Sequence, residues 1–310
     1  MYQRPFAQIR SLVGSIVFLA WACAPVFAQD LEPRRWTPMP VDTNVAAVAY
    51  LFTTGNLHFD PVLRIEDAEV ELNTALVSYT HYFPLFGNTA RIDAHVLYQE
   101  GRWEGLVDGV PTTVRRDGLA DPVVRFSYHL SGSPALSGKE FMEYRQAHDS
   151  LTTVGFAFEA RLPLGEYMDD KLINLGQNRF VLGPQLGVLH TSGPWSFELT
   201  GTALFFTTND DFFGGNTLRQ DPLYALQTHV VRSFANGMWL SAGVAYGWAG
   251  ETEINGVSKD DERSNLLFGG SFGFRTGEAQ GMRIGYLRGD TLTDVGTDTH
   301  SLFASWAIRF

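Results

Sequence analysis

The last ten residues, SLFASWAIRF (301–310), decide the fold. Counting back from the carboxyl terminus in steps of two collects Phe310, Ile308, Trp306, Ala304 and Leu302, while the interleaved set is Arg309, Ala307, Ser305, Phe303 and Ser301. A repeat of two belongs to a β-strand, whose successive side chains point to opposite faces of its sheet. The apolar face meets either a protein core or a lipid bilayer, and the rest of the chain has to distinguish them.

Working outward, strand-like segments bounded by turn residues predict twelve strands, at about 43–53, 69–83, 90–103, 120–131, 150–162, 179–191, 195–207, 222–234, 239–250, 263–275, 281–290 and 299–310. In the third, Ile92, Ala94, Val96 and Tyr98 alternate with Arg91, Asp93, His95 and Gln99. In the ninth, Leu240, Ala242, Val244, Tyr246 and Trp248 face away from Ser241, Gly243 and Gly247. The second, EVELNTALVSY (69–79), exchanges its apolar face partway along, as a bulge would allow.

The connections alternate as well. Short ones follow the even strands, at 84–88, 192–194, 235–237 and 276–280. Long ones follow the odd strands, near 54–68, 104–119, 163–178, 208–221, 251–262 and 291–298. The exception, 132–149, contains KEFMEYRQAHD and predicts one short helix. Short periplasmic turns and long external loops are the habit of outer-membrane barrels. The expected fold class is therefore all-β, a transmembrane antiparallel up-and-down β-barrel of about 12 strands. An even count puts both termini on the periplasmic side, and the last strand closes against the first so that no edge meets lipid. Trp306, Ile308 and Phe310 then form a lipid-facing closing stripe, and the terminal aromatic resembles the signal read by barrel assembly machinery. Rim aromatics are expected at Tyr82, Trp195, Phe234, Trp239 and Phe310 on the periplasmic side and at Trp103, Phe206 and Trp248 on the outer side.

The amino terminus fits an envelope protein. Arg4 and Arg10 precede the apolar run 12–28, and Val26 and Ala28 stand where a signal peptidase reads small residues. The expected organisation is a signal peptide at 1–28, a periplasmic segment at 29–42 and one barrel domain at 43–310. Cys23 raises a lipoprotein alternative, against which Ala20 and Trp21 make a poor lipidation site. Cleavage removes the only cysteine and leaves 21 basic against 34 acidic residues, a balance of −13 that argues against a nucleic-acid partner. No mature segment approaches the ~18 continuous apolar residues of a spanning helix, so a membrane is crossed by strands.

Chemical motifs are sparse. GGSFG (269–273) matches G-x-S-x-G, but the nucleophile elbow needs a strand, a turn and a helix, and Ser271 falls in mid-strand. A lipid-hydrolysing barrel would need a serine and a histidine together. None of the eight histidines is marked as such a partner, and no metal or cofactor spacing is present. The inward positions hold Arg91, Asp93, His95, Arg125, Glu159, Arg161, Arg179, Glu198, Arg275, Arg283 and Arg309. These describe either an anion pathway or a set of Arg–carboxylate bridges filling a narrow barrel. The acidity lies in the loops, where it is either a solvated face or a means of bridging to lipopolysaccharide through divalent ions.

Five segments carry a resemblance: DPVLRIEDAEVEL (60–72), DGLADPVVRFSY (117–128), LPLGEYMDDKLINLGQNRF (162–180), DDFFGGNTLRQDPLYALQ (210–227) and KDDERSNLLFGGSFGF (259–274). In these the chain resembles the transporter family associated with the meta-pathway of phenol degradation. The resemblance implies an outer-membrane barrel passing small solutes, hydrophobic and aromatic ones included, with no catalytic residues. Asp169, Lys171, Asn174, Asn178, Asp210, Asp211, Asn216, Arg219 and Asp221 are the candidates for loop architecture or a solute entrance, although Asp and Asn also hold turns by bonding nearby backbone. The expected partners are outer-membrane lipid and lipopolysaccharide, the assembly machinery and a small solute, around a monomer without cofactor or metal. A plugged structural or adhesion barrel is the remaining alternative.

Overall fold

A computed structural model describes residues 31–58 and 65–310. The signal-peptide assignment at 1–28, with Cys23 and the cleavage after Ala28, lies outside the described residues, as does part of the connection expected at 54–68.

Twelve strands form one closed antiparallel wall: β1 (Asn44–His58), β2 (Ile65–Leu85), β3 (Asn88–Val107), β5 (Val123–Ser131), β6 (Ser150–Arg161), β7 (Val181–Ser192), β8 (Trp195–Phe206), β11 (Leu223–Ser233), β12 (Trp239–Ala249), β15 (Arg263–Arg275), β16 (Gln280–Thr291) and β17 (Gly296–Arg309). Each pairs with its neighbour in sequence, and β1 closes on β17 from Val45 opposite Arg309 to His58 opposite Gly296. One helix, α1 (Gly138–Gln146), occupies the connection between β5 and β6. No helix among the described residues is long and apolar enough to cross a membrane.

The outer surface carries a continuous apolar band. Val48 and Tyr50 of β1, Val77 and Tyr79 of β2, Val96 and Tyr98 of β3, Leu226 of β11, Leu240 of β12, Ile284 of β16 and Leu302 of β17 are all well exposed. An exposed belt of this extent belongs against hydrocarbon. The exchange of faces in β2 marks its upper edge. Pairing with β3 runs unbroken from Glu69 to Leu85, and the one irregularity lies earlier, between Glu66 and Glu69. No bulge interrupts 69–79. Instead Val70 and Leu72 are buried inside while Glu69 and Glu71 face out, and beyond Asn73 the apolar residues Val77 and Tyr79 face out. The solvent outside the strand changes from water to lipid, so the sequence pattern inverts without any change of backbone.

Three expectations are corrected. Among the rim aromatics, Trp195, Phe234, Trp248 and Phe310 lie exposed, but Tyr82 and Trp103 are buried inside. Phe206 packs with Leu204 and Leu223, and Trp239 lines the lumen. Strands also occur where loops were expected. β4 (Val110–Leu119) folds back on β3 through Asp108 and Gly109, both at positive φ. β9 (Asn209–Phe212), β10 (Asn216–Gln220), β13 (Thr252–Ile254) and β14 (Val257–Ser258) make a second, four-stranded sheet in the connections expected at 208–221 and 251–262. Finally, the amino-terminal segment enters the barrel. Leu31 packs with Ala245 and Leu267, and Trp36 with Ala157 and Leu189.

Candidate functional site

The lumen holds a cavity of about 680 Å3 between the amino-terminal segment and the inner faces of the wall. Five arginines and three carboxylates line it: Arg34, Arg125, Arg161, Arg275 and Arg283 against Glu32, Asp121 and Glu159. Small and aliphatic side chains, among them Ala47, Ala49, Leu76, Leu97 and Ala307, form the wall of β1, β2, β3 and β17. The apolar patch is therefore flanked by arginines on both sides, Arg125 and Arg161 from β5 and β6 and Arg275 and Arg283 from β15 and β16.

The amino-terminal segment is held by specific contacts. Glu198 accepts the backbone N–H of Arg34 at 2.7 Å and that of Trp36 at 3.4 Å. Trp36 donates its indole N–H to Thr200 Oγ1 at 2.8 Å, and its ring lies where a Cβ on Gly155 or Gly187 would stand. Only glycine leaves room for a ring against the strand at those two positions. Arg35 donates to Gln185 Oε1 at 3.0 Å and pairs with Glu32 at 3.4 Å. Glu32 in turn pairs with Arg125 at 3.3 Å, and Arg125 reaches Asp93 at 3.2 Å. Asp93 also pairs with Arg91 at 3.1 Å and accepts the Thr80 hydroxyl at 2.7 Å. This chain of alternating charges runs from the segment into β5 and β3. Such a network fixes one arrangement by mutual pairing rather than by net stabilisation.

At the end of the barrel away from both chain termini the connection 162–180 folds inward. Ile173 and Leu175 pack against Leu57, Val70, Leu72 and Trp103 on the inner faces of β1, β2 and β3. Asp121 anchors this loop, accepting the backbone N–H groups of Gly165 at 3.0 Å and Gln177 at 2.8 Å. Burial pushes the Asp121 carboxyl up from its ordinary value, against the pull of those two donors.

The inward candidates divide accordingly. His95, Arg125, Glu159, Arg161, Arg275 and Arg283 line the cavity. Arg91, Asp93 and Glu198 are buried in the networks just described. Arg179 stands at the same end as the connection 162–180, over the Phe206 ring at 4.6 Å and donating to Gln220, and Arg309 is exposed near the seam. Most of the loop candidates bond to other groups within the loops. Asn174 caps Met168 through its N–H and C=O, at 2.8 and 3.0 Å. Asn178 donates to Asn209 at 3.0 Å, Asn216 donates to Phe213 O, and Lys171 pairs with Asp170 at 2.6 Å. Arg219 approaches Glu253 at 3.9 Å across the small sheet. The backbone of Asp169 accepts Gly214 N–H at 2.8 Å and that of Asp211 accepts the Tyr167 hydroxyl at 3.0 Å, while Asp221 N–H donates to Glu251 at 3.1 Å. Asp210 is exposed. Ser271 lies inside the wall and shares a hydrogen bond of 2.8 Å with Ser241.

Sequence reasoning passed over Glu32, Arg34, Arg35 and Trp36. The signal was the stretch EPRRW (32–36), more charge and aromatic bulk than a tether between leader and first strand requires.

The family model described as "Putative MetA-pathway of phenol degradation" matches residues 49–296. Among solved structures, an outer membrane channel from Pseudomonas putida F1 superposes with a TM-score of 0.72 at 19% identity, over 91% of this chain and all of that one. The transport unit of the autotransporter AIDA-I from Escherichia coli gives 0.51 at 8% identity, over 97% and 98% of the two chains. These likenesses concern the fold. No curated protein matches the chain.

Proposed function

The chain belongs to that phenol-degradation family, and on this premise we propose that it is a monomeric outer-membrane channel for passive passage of small solutes, hydrophobic and aromatic ones included. The observation that carries the reading is the pairing of an apolar outer band with a lumen cavity of about 680 Å3 lined by five arginines and three carboxylates. A basic surplus in a confined space favours anions. Lipid and lipopolysaccharide surround the band, and the assembly machinery reads Trp306, Ile308 and Phe310. The outer loops shape the mouth and the lumen does the selecting, so no covalent step is needed.

The test is conductance of the folded mature protein in a planar bilayer under salt gradients. Steps favouring anions are expected, with the preference reduced when Arg161 and Arg283 are both changed to Gln. Silence from a correctly folded barrel would overturn the channel reading in favour of a plugged structural barrel.

A further inference from the structure

The wall of β12, β15, β16 and β17 presents an unusual row. Trp239 stands opposite Gly273, Gly273 opposite Arg283, and Arg283 opposite Ser305. Directly opposed residues on neighbouring strands sit roughly 5 Å apart, so these four form one continuous strip. Gly273 has no side chain, and the indole of Trp239 lies across it, with ring atoms where a Cβ would be. Arg34, from the amino-terminal segment, places its guanidinium 5.3 Å from the centre of the Trp239 ring. Arg283 lies 4.8 Å from the centre of Phe303, whose ring covers Gly285 in the same manner. Arg275 follows Gly273 by two positions on the strip and lies over Gly237.

Arg34, Arg275 and Arg283 all line the cavity, and among the described residues no salt bridge within 4 Å joins any of them to a carboxylate, although Glu198 acts electrostatically on Arg34 and Glu32 on Arg283. Among the described residues, the one side-chain hydrogen bond from this trio goes from Arg275 to the backbone oxygen of Glu278, at 3.0 Å. The three cavity carboxylates make their short contacts elsewhere. Glu32 serves Arg35 and Arg125, Asp121 serves two backbone N–H groups, and Glu159 accepts from Gln185. Three cations therefore face the same space as the edge of the indole, and the row continues from Ser305 to Ala49, beside Ala47 and Ala307 on the adjoining strands. Guanidinium groups bind carboxylates through two parallel N–H donors, and flat apolar walls favour a planar hydrocarbon body.

From this juxtaposition we infer that the strip is a binding site for small aromatic carboxylates, the anion held by Arg283 and Arg275 with Arg34 closing from above, and the ring lying along Trp239. The inference names a solute class for the channel proposed above and takes its setting from that reading. The binding itself is independent of flux.

The experiment is calorimetric titration of the folded barrel in nonionic detergent with benzoate, acetate and phenol at neutral pH. Benzoate is expected to bind about tenfold or more tightly than either of the others, because only it satisfies both the guanidinium groups and the ring surface. Arg283→Gln should weaken benzoate about tenfold. Arg275→Gln, at the exposed end of the strip, should act in the same direction even if the first variant folds poorly. Trp239→Leu should bring benzoate to the level of acetate. Equal binding of benzoate and phenol, equal binding of benzoate and acetate, or indifference to both arginine changes would overturn the site. A barrel that binds benzoate but carries no current keeps this inference and loses the channel. One that conducts but treats the three probes alike does the reverse.

Discussion

Glu198 accepts the backbone N–H of Arg34 at 2.7 Å across 164 residues of sequence. A wall carboxylate thereby holds the amino-terminal segment by its main chain, with a second N–H, from Trp36, on its other oxygen. Glu198→Ala leaves both donors inside the barrel without their acceptor, at a cost of about 1–3 kcal/mol. Each ~1.4 kcal/mol is a factor of ten in the population of the released segment. Trypsin cleavage after Arg34 and Arg35 in the folded protein should therefore quicken about tenfold or more, and an unchanged rate would show that the hold lies elsewhere.

Gly187→Ala tests the seat of Trp36. The new Cβ would stand 2.0 Å from the indole, so the ring has to leave. The loss approaches the roughly 3–5 kcal/mol of deleting a buried Trp. Trp36→Ala should match it, and the double variant should cost no more than either single change, because both remove one interaction. Chemical unfolding midpoints of the three variants measure this, and simple additivity would reject it.

Asp121→Ala should free the connection 162–180 at the mouth away from the chain termini, since two of its backbone N–H groups lose their common acceptor. Larger and noisier single-channel currents are expected. Currents of wild-type size and steadiness would mean that Ile173 and Leu175 hold the loop without help.

The edge of the apolar band predicts a contrast within one strand. Val77→Arg places a charge against hydrocarbon at a cost of about 2–4 kcal/mol, whereas Glu71→Arg, in the water-facing part of β2, costs about 0–1 kcal/mol. Denaturant titration in lipid vesicles reads both, and equal penalties would move the membrane boundary away from Asn73.

The wall was legible because its constraint is local: a period of two fixes which residues face lipid, and all twelve strands were expected near their observed positions. EVELNTALVSY misled for a physical reason, since the pattern reports the solvent and the solvent changes along the strand. Asp108-Gly109 and Asn255-Gly256 did carry hairpin signals, both pairs being at positive φ. They were overlooked because alternation in β4 and β14 is weak where both faces meet water. The lumen was half legible. Parity shows that Arg283 and Arg91 face inward, but only the registers show that Arg91 meets Asp93 while Arg283 stands beside Gly273 and Trp239. The placement of Trp36 depends on glycines more than a hundred residues away, which no local pattern reports.

The enclosed segment also imposes an order on assembly. Asn44 and Phe310 exchange both backbone hydrogen bonds at 2.9 Å, and they are 266 residues apart. A contact of that sequence separation closes late, after the neighbouring hairpins have formed. Residues 31–41 lead directly into β1, one side of the seam, and are expected to lie within the curling sheet as it zips. The segment then serves as a mandrel, and its aromatic and ionic contacts help set the curvature that the last strand has to meet. An affinity tag fused ahead of Leu31 would compete for the bore during that step, whereas one inserted at the Gly214-Gly215 turn, at the far end of the barrel, leaves the cylinder free to close.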